Sequence, residues 1–299
     1  MADKIGTGMD REFAFTGLGQ MGSCMALNLL KQGPRLAVWN RTASKSEDLG
    51  KAGARVAANV CDAVGNSGVV FLSLTGDQAV RAVVREGLEH FVKGTVVVDH
   101  STTSPALARE MASLLSGKGV DFLDAPVSGG VKGARSAELT VMAGGDQECF
   151  EQVRPILTAT CRHIFFLGPS GSGQAAKAVN QLLVAVNQAV VCEAMILARE
   201  AGLNLNPLYE VLLRSWGYSR MLERSVPDII IPRRFEAGAF KGVEYVLKDL
   251  NVVVDLARSL GVRLPLTEIT RSYYQKANEE GMGLLDNAAI LEVLREINP

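Results

Sequence analysis

The chain has 299 residues, with 31 Lys and Arg against 32 Asp and Glu, and a formal charge of -1. At 47% hydrophobic and 21% charged residues it is globular in composition and long enough for about two domains, which excludes a disordered or fibrous chain. No block of like charge stands out to neutralise nucleic acid or an anionic membrane, so neither is expected as a partner. Five cysteines (Cys24, Cys61, Cys149, Cys161, Cys192) form an odd set without a CxxC pair and read as reduced packing residues. Three histidines leave little material for a metal site or Ser/His/Asp chemistry, so no metal is expected and proton transfer is expected from another residue type. The start, MADKIGTGMDRE, is polar where an export signal needs an apolar core, and no run reaches ~18 uninterrupted apolar residues. Both features point to a cytoplasmic or matrix-like protein without a membrane span.

Residues 13–170 alternate short aliphatic runs with helical-period segments, the order that builds a parallel sheet covered by helices. The first run, Phe13–Gly17, leads through Gly17-Leu18-Gly19-Gln20-Met21-Gly22 into a helix with Met25, Leu29 and Leu30 on one stripe, ending near Gly33. A GxGxxG between strand and helix has the context of a dinucleotide site. Gly17 permits the tight turn, Gly19 lets the backbone approach a pyrophosphate, Gly22 allows close packing, and the helix amides face the phosphates. The pattern by itself also fits a glycine-rich turn that binds nothing.

The second run, Leu36–Asn40, ends in Trp39-Asn40-Arg41-Thr42, where an NAD site usually places an acid for the ribose hydroxyls. Neutral Asn40, the Arg41 guanidinium and the Thr42 hydroxyl favour a 2′-phosphate instead, which predicts NADP(H). The other reading of Arg41 is a solvated charge at a strand end. The runs Val69–Leu74, Thr95–Asp99, Phe122–Ala125 and Leu139–Ala143 follow. Ser104-Pro105 opens a helix bearing Leu107, Met111, Leu114 and Leu115 and closing near Gly117–Gly119. The hydroxyls of Ser101-Thr102-Thr103 fit a cap there.

Past Phe122–Ala125, Ser128 offers a hydroxyl and Gly129-Gly130 leave their N–H groups unobstructed, which suits a small carboxylate as well as a plain turn. After the glycine-rich stretch 168–173 the texture changes. Gln174 to Glu200 runs without Pro or Gly and predicts a helix about 40 Å long. Leu250, Val253, Val254 and Ala257 repeat at helical spacing before Gly261, and the segments after Asn206, Thr267 and Asp286 are similar. The expected organisation is an α/β domain over residues 1–170 and an all-α domain over 171–299, joined by the long helix. The apolar length of that helix implies surface buried beyond one chain, hence a homo-dimer or homo-tetramer.

Lys177 stands out in the opening turns of this helix, with Asn180 three residues on and on the same face. A helix N-terminus disfavours a positive charge, and burial against a cofactor would push the amine toward proton exchange near neutral pH. Taken alone, an exposed surface lysine is the commoner case. Lys248-Asp249 is, on its own residues, an adjacent charge pair.

Six blocks in order, FTGLGQMGSCMALNLLKQG (15–33), WNRT (39–42), DHSTTSP (99–105), DAPVSGGVKGA (124–134), GSGQAAKAVNQ (171–181) and LKDLNVVVDLA (247–257), resemble the β-hydroxyacid dehydrogenase family. This family includes 3-hydroxyisobutyrate dehydrogenases and NADPH-dependent glyoxylate/succinic semialdehyde reductases, and the likeness covers nearly the whole chain. It implies a Rossmann-like N-terminal domain, a helical C-terminal domain and an active site in the cleft between them. It makes Lys177 the catalytic acid/base, assisted by Ser128 and Asn180, and assigns substrate contacts to Ser128, Gly129, Gly130, Thr102, Asn180, Asp249, Tyr218 and Arg220. Cofactor contacts fall on Gly17, Leu18, Gly19, Gln20, Met21, Gly22, Asn40, Arg41, Thr42, Leu74, Thr75, Thr102 and Lys248.

The expected reaction is NADP(H)-dependent reduction of a small carboxylate-bearing semialdehyde or 2-oxo acid, or oxidation of the matching hydroxyacid. The sequence departs from the family's pattern where relatives carry a bulky residue and this chain has Lys241, with Phe240 one position earlier. It departs again where they often carry tryptophan and this chain has Arg220. A cation there either holds a second acidic group of the substrate or faces water. Two rivals share the scaffold: an imine reductase, which generally lacks the lysine, and a non-catalytic NADPH-binding module, which does not need one.

Overall fold

The computed structural model of the chain describes residues 11–237 and 242–297. The polar start of the sequence, and Phe240 and Lys241, lie outside the described residues. Contacts divide the chain into two compact units, up to Lys177 and from Ala178 onward.

The first unit begins β1 (Glu12–Thr16), α1 (Gln20–Lys31), β2 (Leu36–Trp39), α2 (Glu47–Lys51), β3 (Arg55–Val56), α3 (Val60–Val64) and β4 (Ser67–Leu72). It continues through α4 (Asp77–Gly87), β5 (Val96–Asp99), α5 (Pro105–Ser116) and β6 (Asp121–Asp124). Six strands form a sheet in the order β3-β2-β1-β4-β5-β6, and every pair in it is parallel. Both faces are covered. Phe13, Phe15, Val69 and Phe71 pack into one apolar cluster, and Ala14, Val70, Leu72 and Val97 into another, which is why the strands read as unbroken aliphatic runs. The chain runs outward from β1 on one side and from β4 on the other, so the carboxyl ends of these two strands mark the switch point where α/β sheets bind ligands.

The remaining elements of this unit are β7 (Val127–Ser128), α6 (Gly130–Ser136), β8 (Leu139–Ala143), α7 (Gln147–Leu157) and β9 (Cys161–Phe166). Here the sequence reading needs correction, because Leu139–Ala143 does not extend the parallel sheet. It lies in a separate sheet of order β7-β8-β9, antiparallel to β7 and parallel to β9. Pro126 lacks an amide hydrogen and breaks the run between β6 and β7, and its carbonyl accepts from Met142 N–H. Asp124 and Gly144 then exchange backbone bonds in an isolated antiparallel bridge.

Helix α8 (Ser172–Glu200) starts two residues earlier than its Gly-free stretch suggests. The Asp124 carboxylate explains the difference: it accepts from Gly171 N–H at 2.8 Å and Gln174 N–H at 2.9 Å, acting as a cap supplied from another strand. By length and composition α8 could cross a membrane, but half of its most apolar window is buried in the protein. Ala185, Ala189, Cys192 and Met195 join the core of the second unit, as in a core helix.

That unit continues with α9 (Leu205–Leu212), α10 (Arg220–Ser225), α11 (Val243–Ser259), α12 (Pro265–Ala277) and α13 (Ile290–Glu296). Its apolar centre includes Val226, Leu250, Tyr274 and Ile290, none of them accessible. An Arg224–Asp286 ion pair and an isolated bridge from Gly242 to Asp286 tie the approach to α13 down. The molecule is thus a Rossmann-like α/β unit followed by a helical one, with α8 running from the first into the second.

Candidate active site

The β1–α1 turn is shaped by what its glycines lack. A Cβ on Gly17, whose φ is +91°, would meet Ser73 O at 2.2 Å, and one on Gly22 would meet Gly17 O at 1.9 Å. A Cβ on Gly19 would meet nothing within 4 Å among the described residues. The protein itself therefore requires two of the three glycines, while the space over Gly19 is open to a ligand. The first turn of α1 holds no acid, and Gly19 supplies no capping side chain, so the positive end of the helix is available to phosphate. Gln20 is exposed and Met21 half-buried at this end, while Leu18 is buried beneath it. These features fit a dinucleotide pyrophosphate.

Asn40 plays a part its sequence position did not suggest. Its Oδ1 accepts from Leu18 N–H at 2.9 Å and its Nδ2 donates to Thr42 O at 3.0 Å. Both ends of the amide serve the turn, and Leu18 N–H is engaged there as well. Arg41 and Thr42 are both exposed just beyond the end of β2. Thr75 is exposed beyond β4, while Leu74 donates its N–H to Ser101 Oγ at 2.8 Å.

The loop from β5 into α5 is held at almost every residue. Ser101 N–H donates to Asp99 Oδ1 at 2.9 Å, Ser101 O accepts from Gln174 Nε2 at 2.8 Å, and Thr103 N–H donates to Gln174 Oε1 at 3.0 Å. Ser104 donates through both its N–H and its hydroxyl to Asp77, and its Oγ caps Leu107 N–H as the sequence implies. Thr102, between these anchors, is 7% exposed. Burial raises the Asp99 carboxyl to about 7, with Asp124 and Asp77 adding to the rise and the bonds from Ser101 opposing it. His100 stacks on Phe71, and its Nδ1 lies 2.7 Å from Ala125 O. Burial lowers it to about 4, so it is a neutral packing group with its proton on Nδ1.

Ser128 ends β7, followed by Gly129 and Gly130 at φ of +133° and +63°. Lys177 is 5% exposed and donates from Nζ to Val127 O at 2.9 Å, placing its amine beside the residue that precedes Ser128. Lys177 is therefore held at the end of β7, where the chain passes through Ser128 into the two glycines. The terminus of α8, which the sequence sets against the Lys177 charge, already carries the Asp124 carboxylate.

In the second unit, Asn180 Nδ2 donates to Gln181 Oε1 at 2.9 Å, and Gln181 Nε2 donates to Asp249 Oδ2. Lys248 pairs with Asp249 Oδ1 at 2.9 Å. Gln181 and Asp249 are buried, so this is a connected chain of amide, amide, carboxylate and ammonium. Tyr218 is half exposed and donates its hydroxyl to Glu223 at 2.7 Å, a bond that raises the phenol. Arg220 is exposed at the start of α10. Sequence reasoning passed over Gln174, Gln181, Asp99 and Asp124. Their signal was present as polar side chains inside blocks made mostly of small and apolar residues.

A profile described as the NAD binding domain of 6-phosphogluconate dehydrogenase matches residues 12–168. A second, described as NAD-binding of NADP-dependent 3-hydroxyisobutyrate dehydrogenase, matches residues 171–294. The chain is 32% identical to 2-(hydroxymethyl)glutarate dehydrogenase of Eubacterium barkeri, over 96% of this chain and 95% of that one. It is 33% identical to 2-hydroxy-3-oxopropionate reductase of Escherichia coli, over 95% and 97%. Among solved structures, Mycobacterium tuberculosis 3-hydroxyisobutyrate dehydrogenase with L-serine superimposes with a TM-score of 0.88 at 32% identity, covering 95% of this chain and 99% of that one.

Proposed function

The chain belongs to the β-hydroxyacid dehydrogenase family of nicotinamide-dependent oxidoreductases, and on that footing we propose that it uses NADPH to reduce a small carboxylate-bearing semialdehyde or 2-oxo acid, with Lys177 as the acid/base. The observation that carries this reading is the burial of the Lys177 amine against Val127 O, next to Ser128. An ammonium withdrawn from water costs free energy unless it is hydrogen-bonded, paired or put to chemical use, and here the bond to Val127 O holds it at the strand end that leads into Ser128.

When bound, the coenzyme supplies a hydride to the carbonyl carbon. Lys177, as ammonium, gives a proton to the carbonyl oxygen as negative charge develops there, and as free amine it removes that proton in the reverse direction. Val127 O fixes the position of the nitrogen. The Ser128 hydroxyl and the Gly129 and Gly130 amides grip the substrate carboxylate and orient the carbonyl, and orientation of this kind supplies a large part of the acceleration. Asn180, Asp249 and Tyr218 are further proposed substrate contacts, and Arg220 supplies a cation for a second acidic group.

The preference for NADPH over NADH is supported by the exposed Arg41 guanidinium at the end of β2, flanked in the sequence by Asn40 and Thr42 rather than by an acid. Assembly into a homo-oligomer is supported by Val179, Leu183, Val190 and Leu197, which are exposed along α8 at helical spacing.

The test is a substrate panel of glyoxylate, succinic semialdehyde, other small 2-oxo acids and cyclic imines, run with each coenzyme. The oxo acids are expected to turn over with NADPH; turnover of the imines alone would contradict the proposal. Arg41→Ala should narrow the NADPH over NADH preference by about tenfold, or about 1.4 kcal/mol. Equal affinities in the unmutated protein would overturn the coenzyme assignment.

A further inference from the structure

Gln174 is fully buried in the first turn of α8, three residues ahead of Lys177. Its side-chain amide reaches the β5–α5 loop and straddles Thr102, donating to the carbonyl of Ser101 on one side and accepting the N–H of Thr103 on the other. Its own N–H is held by the Asp124 carboxylate. The amide can satisfy both loop groups in one orientation only. Flipping it would set oxygen against oxygen and N–H against N–H, each in a buried place where an unmet polar group is costly. Loop and helix turn are thereby latched by a single planar group whose two ends do different work.

We propose that Gln174 is a positioning residue for the reduction: it fixes the backbone on both sides of Thr102 relative to the helical turn that carries Lys177. This rests on the reading of Lys177 as the acid/base. Gln174 touches no reacting atom in this account. It acts by holding the Thr102 loop in register with Lys177, and a misplacement of about 1 Å in such a site costs on the order of 10²-fold in rate.

Two variants separate the donor and acceptor roles. In Gln174→Glu a carboxylate still accepts from Thr103 N–H, but its second oxygen opposes Ser101 O. Once protonated, it donates to Ser101 O again. The kcat of this variant relative to the unmutated protein at the same pH should fall by about 10²-fold near pH 8 and recover as the pH falls toward about 5, where a buried Glu holds its proton. NADPH affinity, read by fluorescence titration, should fall by far less than kcat, because the glycine turn is untouched and Thr102 is one among many expected coenzyme contacts. Gln174→Leu removes both bonds. It should lower kcat at every pH and speed amide hydrogen exchange across 101–104 in the free protein, whereas Gln174→Glu should keep Thr103 protected.

A Gln174→Glu ratio that does not change with pH would overturn the proposal. So would unmutated turnover in Gln174→Leu alongside faster loop exchange. If Gln174→Leu does not fold, the pH ratio of Gln174→Glu decides the matter. If the unmutated protein reduced nothing on the panel, the reductase reading would fail, and the exchange comparison would still test the latch on its own.

Discussion

The loops after β1 and β5 leave the same edge of the parallel sheet and both open a helix, yet they are built by opposite means. The first takes its shape from missing side chains: Gly17 and Gly22 clear backbone atoms that any Cβ would strike. The second takes its shape from side chains, with Asp99, Asp77, Ser101 and Gln174 each bonding a backbone group of the loop or of its neighbours. Steric shaping leaves an open space over Gly19, as a binding surface needs. A polar lattice fixes position, as a reacting centre needs.

The largest expected effect comes from placing a methyl group in the first loop. Gly22→Ala would set a Cβ 1.9 Å from a backbone oxygen and should cost about 3 kcal/mol or more, seen in chemical denaturation. Gly19→Ala meets nothing and should leave stability unchanged while weakening NADPH binding by about tenfold. If the two variants behaved alike, the division between structural and ligand-facing glycines would break.

Beside the second loop, Asp124→Ala strips the acceptor from Gly171 and Gln174 N–H at the start of α8. A loss of about 2–3 kcal/mol follows from two buried donors left unmet. A loss under about 0.5 kcal/mol, the usual surface value, would mean that the cap is dispensable.

The smallest effect has a distinctive pH signature. The Asp99 carboxyl stands at about 7 in the folded protein against an ordinary 3.8. Below about pH 4 both states hold the proton and nothing is gained or lost. Between about 4 and 7 the unfolded chain releases it first, so stability falls as pH rises, and above about 7 the full penalty stands. Asp99→Asn keeps the shape of the neutral acid and should raise the unfolding free energy by about 1–3 kcal/mol above pH 7, with the gain fading toward pH 4. A gain that does not change with pH would contradict the burial account.

The same contrast explains what the sequence could reveal. The glycine turn is legible because its steric partners lie close by and its strand and helix are plain from periodicity; only the use of Asn40 as a brace for Leu18 and Thr42 escaped notice. The hydroxyl loop reads as a cap, and Ser104 is one, but its other partners sit far along the chain. Leu74 is 27 residues from Ser101, and Gln174 is 73. No local pattern encodes that meeting. Val127–Ser128 is too short to show a strand period, and Arg162 and His163 interrupt the apolar signal of β9, so the second sheet was invisible and Leu139–Ala143 was assigned to the first. Lys177 stands out in the sequence by its place after a glycine-rich entry, whereas its burial and its bond to Val127 O are visible only in the fold.

The most direct measurement is single-turnover reduction of an accepted oxo acid by Lys177→Ala, with NADPH affinity determined in parallel. The expected result is a loss of about 10² to 10⁴ in the rate of the hydride step, the usual worth of acid–base assistance, with coenzyme binding unchanged. A variant that reduced its substrate at nearly the unmutated rate would show that the buried amine beside Ser128 is a packing group and that the proton comes from elsewhere.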